Sequence, residues 1–138
     1  MQTRRGFGAC AICSVMGMTA TAVAAQQVGQ PQSAGGVTRT ILQRTDLDER
    51  HVVLLVMAEI AAGITVARHT HPGVESAYVL EGGFEDFSVQ GHPARTVKAG
   101  DAFHIPAATP HGSKGTMGDT KLIITYVVEK DKPLASPA

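Results

Sequence analysis

The sequence predicts an all-β domain, either a sandwich or a barrel. Three observations carry that expectation. Short runs of β-branched and apolar residues recur through residues 37–128, most of them closed by turn residues, and after Ala25 no segment shows a long, capped 3.6-residue apolar period. Many short strands at regular spacing suit facing sheets or one sheet closed on itself.

The first 25 residues stand apart from this pattern. Arg4 and Arg5 open the chain with no acid near them, Ala9 to Ala25 is uncharged and apolar or small, and Ala22-Val23-Ala24 or Val23-Ala24-Ala25 offers a small-residue cleavage site. A basic start, an apolar centre and a small-residue end are expected of a signal peptide over residues 1–25. The apolar run is short and rich in Ala, Gly and Thr for a membrane span, so no stable anchor is expected after cleavage. Thr3-Arg4-Arg5-Gly6-Phe7 resembles the first half of a twin-arginine signal, although Gly8 and Ala9 stand where Leu and Lys often follow. Either export route leads to the periplasm of a Gram-negative bacterium. Both cysteines, Cys10 and Cys13, would leave with the signal, so no disulfide is expected afterwards.

What remains is 113 of the 138 residues, enough for one domain and one core. The whole chain balances 12 basic against 12 acidic residues; loss of Arg4 and Arg5 leaves 10 against 12. A slightly acidic domain without a basic run argues against nucleic acid as a partner.

Within this part the elements follow in order. Gln26–Gly36, rich in Gln, Gly, Pro and Ser, reads as a flexible leader, and residues 131–138, with Pro133 and Pro137, as a tail. The folded domain is expected over residues 37–130. Val37–Leu42 is the first strand-like run. His51–Ile60 is the longest, with Val52, Leu54, Val56, Ala58 and Ile60 on one side and apolar residues at three of the four positions between. That predicts a strand buried on both faces. Ile64–His69, Ser76–Leu80, Phe84–Val89, Arg95–Val97, Ala102–Ile105 and Lys121–Val128 complete the set. Glu81-Gly82-Gly83, Gln90-Gly91-His92-Pro93 and Lys98-Ala99-Gly100-Asp101 predict hairpin turns between their flanking runs.

The chemistry concentrates in His69, His71, Glu75 and His111. Two histidines two residues apart on a strand share a face. Pro72-Gly73 can turn the chain so that Glu75 returns across them, and His111 can be delivered only by the tertiary fold. Three imidazoles and a carboxylate suit one divalent transition metal: Fe, Mn, Ni, Zn or Cu. A six-coordinate ion would keep two positions open for water, substrate or dioxygen. Gly63 and Gly82 suit turns with positive φ, and Pro106 suits the end of a strand. His104, just before Ile105-Pro106, is a candidate cavity residue for acid–base work. Tyr78 and Phe103 read as core, and Asp101 as a turn former.

The spacing of these residues resembles the cupin family. Its first motif is matched from Gly63 through His69, His71 and Glu75 to Gly82, and its second at Gly100, Pro106 and His111. Ala108 and Gly115 depart from it, where the family usually has Gly and often has Asn. The resemblance implies a single-domain jelly-roll β-barrel with the metal inside, and frequent homodimers. It also implies a small-molecule ligand or substrate. The commonest activity it implies is that of a dioxygenase-like oxidoreductase; a metal- or ligand-binding protein without turnover is the alternative. No nucleophile motif, phosphate loop or dinucleotide fingerprint is present.

Overall fold

Alternation along the strands builds the domain. In a computed structural model, residues 27–138 are described, so the expected signal peptide lies outside them. Pro31–Ala34 (β1), Val37–Asp46 (β2), His51–Ile60 (β3), Thr120–Glu129 (β10), Gly73–Glu81 (β5) and Ala102–Ile105 (β8) pair in that order as a six-stranded sheet. Ser136–Pro137 (β11), Val66–Thr70 (β4), His111–Ser113 (β9), Gly83–Val89 (β6) and Arg95–Lys98 (β7) form a second, five-stranded sheet. Every strand pair is antiparallel.

The core lies between the inner faces. On β3, Val52, Leu54, Val56, Ala58 and Ile60 are buried, and Leu122, Ile124, Tyr126 and Val128 continue that layer on β10. Phe84 and Phe87 meet it from the other sheet. Each fully buried Val or Leu stabilises the fold by about 1.5–3 kcal/mol before entropy is counted. The opposite face of β3 is only half-covered: Val53, Leu55 and Met57 are intermediate and Glu59 is exposed. The expectation of a strand buried on both faces is therefore corrected, because the second sheet covers only one side.

The expected closed β-barrel is also corrected. The two sheets face each other as in a cupin jelly roll, but neither closes on itself; the first ends at β1 and β8 and the second at β11 and β7. Glycine and proline corners explain this. Pro72-Gly73, Gly82 and Gly100 carry the chain from one sheet to the other without extending a ladder across the seam. Only Gln90–Pro93 makes the expected hairpin, between β6 and β7. Glu81-Gly82-Gly83 and Lys98–Asp101 instead turn the chain between sheets. Gly82 does this at φ 67°, and a Cβ there would come within 2.4 Å of the Asp119 carbonyl oxygen.

Both chain ends of the described region are more ordered than their composition predicts. Pro31–Ala34, within the expected leader, pairs with Val37–Thr40. Ser136 and Pro137, within the expected tail, pair with Thr70 and His69, and Leu134 is buried. Edge strands need main-chain pairing and little apolar content, so composition does not reveal them. Among the described residues no helix is long and apolar enough to cross a membrane.

Candidate metal centre

Two sheets supply the site. His69 lies on β4 directly opposite His111 on β9. His71 follows the end of β4. Glu75 comes from β5 in the other sheet, where it shares the inward phase with Ala77 and Val79 and lies opposite Tyr126. Gly73 makes the crossing possible: a Cβ there would stand 2.0 Å from the Val127 carbonyl oxygen. One potential ligand nitrogen from each of His69, His71 and His111 lies within 4.8 Å of the others. Glu75 Oε2 is 2.8 Å from His71 Nε2 and 3.2 Å from His111 Nε2.

Hydrogen bonds orient all three rings. Nδ1 of His69 donates to the Ala67 carbonyl at 2.8 Å, Nδ1 of His111 to the Thr109 carbonyl at 2.9 Å, and Nδ1 of His71 to the Leu134 carbonyl at 2.5 Å. A carbonyl only accepts, so each Nδ1 carries a proton and each ring aims its Nε2 at the centre. Backbone acceptors of this kind commonly stand behind metal-binding histidines.

The described residues do not satisfy this arrangement by themselves. His71 Nε2 and Glu75 Oε2 are buried without a hydrogen-bond partner, despite lying 2.8 Å apart. Two lone pairs at that distance repel unless positive charge lies on or between them. A shared cation supplies that charge, so the donor set fits a divalent metal. The electrostatics agree. Burial alone would raise the Glu75 carboxyl, but the His111 and His71 imidazoles outweigh it and hold it at about 2. Burial lowers His69 to about 4, against its Ala67 bond; His111, His71 and Arg39 add to the lowering. The Glu75 carboxylate is thus ionised and the His69 imidazole neutral, as ligands must be; the positive charge that Glu75 meets at the His71 and His111 rings is the charge a bound cation would replace.

His69, Glu75 and His111 line an interior cavity of about 40 Å³, with His71 just outside its lining; the other walls are mainly apolar side chains such as Phe84, Phe87 and Phe103. Its remaining polar side chains are Arg39, Ser113 and Tyr126. Ser113 is turned to its own loop, donating to the Gly115 carbonyl. Sequence reasoning missed Arg39 and Tyr126. A signal existed for Arg39, which shares the inward phase of β2 with Val37 and Ile41; Tyr126 carried none, since an aromatic on a core strand reads as packing.

His104 is not brought to the centre. It is exposed between inward-facing Phe103 and Ile105, within hydrogen-bonding distance of Ser76 Oγ at 3.2 Å. Phe103 is core, whereas Tyr78 is 45% exposed on the outer face of β5. Asp101 caps its turn by accepting from the Lys98 amide.

Residues 56–128 match the cupin domain family. The chain belongs to the cupin family. This cupin is similar to a solved RmlC-like cupin of Shewanella frigidimarina, with 25% identity over 71% of this chain and 82% of that one, at a TM-score of 0.55. It is similar to KdgF of a Halomonas species, with 24% identity over 75% and 89% of the two chains and a TM-score of 0.56. The polyketide cyclase RemF of Streptomyces resistomycificus matches at 23% identity over 86% and 79%, with a TM-score of 0.55. These likenesses concern the fold, and the proteins' names differ in the chemistry they denote. No curated protein matches the chain.

Proposed function

We propose that this cupin holds one divalent transition metal through His69, His71, Glu75 and His111 and binds a small organic molecule beside it. The observation that carries the proposal is the convergence of donor atoms: three oriented Nε2 atoms and a buried carboxylate oxygen meet, and His71 Nε2 and Glu75 Oε2 have no hydrogen-bond partner among the described residues. When bound, the metal would supply Lewis-acid or redox chemistry to the small molecule in the cavity. The apolar walls would exclude bulk water around that molecule, and the carbonyls of Ala67, Thr109 and Leu134 would keep the imidazoles aimed. Dioxygenase-like oxidation suits such a site.

One observation favours binding without turnover as the second reading. Apart from the ligands, the cavity offers no group suited to exchanging protons near neutrality. Burial, reinforced by the Glu75 charge, pushes the Tyr126 phenol far above its ordinary range, and an arginine does not release its proton.

Elemental analysis of protein purified without added chelator tests the proposal. About one equivalent of metal is expected in the wild type and little in His111→Ala; equal occupancy in a folded His111→Ala protein overturns the ligand set. Oxygen uptake with catechols, flavonols and thiols then separates an oxygenase from a binding protein.

A further inference from the structure

Arg39 occupies an unusual position. Its neighbours on the inward phase of β2, Val37 and Ile41, are buried core residues, and its cross-strand partner Ala58 is small enough to leave it space. The guanidinium reaches the same cavity as His69, Glu75, His111 and Tyr126. Its Nε is buried and has no hydrogen-bond partner among the described residues. Among the described residues Arg39 makes no salt bridge, although Arg44 on the same strand pairs with Asp46 at 2.8 Å. Glu75 is the only acidic residue lining the cavity among the described residues, and it is directed at His71 and His111.

Arg39 as a whole is half-buried, but its Nε is sequestered without an acceptor, and leaving such a charged donor unpaired on a core face carries a cost that a structural arginine would offset with an acid. The imbalance grows if the centre is loaded. A dication, one carboxylate and one guanidinium leave the cavity with an excess of two positive charges, in surroundings that screen them poorly. A ligand that brings negative charge relieves both problems. A carboxylate matches the planar fork of arginine, and the Tyr126 hydroxyl, which keeps its proton, is a second donor on the same wall.

We infer that the cavity selects a small organic acid whose carboxylate is bound by Arg39, with the rest of the molecule directed towards the four-residue centre. This inference rests on the metal reading for the second half of the charge argument, and it makes Arg39 a binding residue, not a metal ligand.

The test uses metal-loaded full-length protein and two matched pairs of probes: lactate with lactamide, and malonate with malonamide. Isothermal titration gives the affinities, and elemental analysis gives the metal content of each sample. At least one acid is expected to bind the wild type roughly 10- to 100-fold more tightly than its amide, the range of a charge-assisted hydrogen bond. Arg39→Gln is expected to lose that preference at unchanged metal content, and Arg39→Lys to keep part of it. The inference is overturned if neither acid outbinds its amide in the wild type. It is equally overturned if Arg39→Gln, folded and metal-loaded, keeps the wild-type preference. Should Arg39→Gln not fold, Arg39→Lys decides: an undiminished preference for the acid there counts against the guanidinium fork. Absence of metal from the wild type would instead sink the metal reading, while an acid preference lost in Arg39→Gln would still uphold the arginine.

Discussion

The two sheets differ in kind. The six-stranded sheet is built on three ten-residue strands, β2, β3 and β10, whose inner faces carry most of the aliphatic core. In the five-stranded sheet the strands that hold or anchor the histidines are short: five residues in β4, three in β9 and two in β11. His69 and His111 belong to the short-stranded sheet, with His71 just beyond it, whereas Glu75, Tyr126 and Arg39 rise from the long-stranded one. One sheet serves mainly as a platform and the other mainly as a holder of imidazoles. The centre lies where they meet, so stability and ligand geometry are separable to a useful degree.

Leu54→Ala should break the platform. Leu54 is fully buried on β3, and its truncation should cost about 2–5 kcal/mol, read as a lowered denaturant midpoint. A loss below about 1 kcal/mol would show that the long strands are not the main source of stability. Ending the chain after Lys132 should sharpen the contrast from the other side. It removes the Leu134 carbonyl that orients His71 and the β11 pairing with His69, so metal affinity should fall about 10- to 100-fold while the circular dichroism spectrum persists. Unchanged affinity would mean that the tail does not tune the site.

Acid should separate the regions as well. In metal-free protein, His69 is depressed to about 4, so below its ordinary value near 6.5 the unfolded chain takes up a proton that the fold resists. The stability this provides should decline as pH falls from about 6.5 through 4. Glu75, depressed to about 2, should add a further decline below its ordinary 4.5. His69→Gln should flatten the first decline in a series of thermal melts; an unaltered profile would assign it to another group. The smallest effect is expected at Ala108, which holds φ 54° while its amide donates to the His71 carbonyl at 3.0 Å. Ala108→Gly relieves that left-handed strain at some entropic cost, and should raise stability by about 1 kcal/mol or less. A lowered melting temperature would count against strain there.

Much of this was legible in the sequence because it is periodic or tightly spaced. His51–Ile60 and Ala102–Ile105 have the expected bounds, and the histidines and Glu75 converge as their spacing implied. The rest depends on tertiary context. A glycine turn does not announce whether its flanking strands pair or part to different sheets, which is why Gly82 and Gly100 misled. The second half of β2, Gln43–Asp46, pairs with β3 yet is exposed and polar, so it carries no apolar signal. The role of Leu134 rests on a carbonyl, which every residue possesses.

The three ring-orienting bonds differ in their reach along the chain. His69 and His111 each lean on a carbonyl two residues upstream, whereas His71 leans on one 63 residues downstream. Two of the imidazoles can therefore be set by their own local segment during synthesis. The third is oriented only once the C-terminal stretch has docked along β4, so completion of the site is tied to the last segment of the chain to be made.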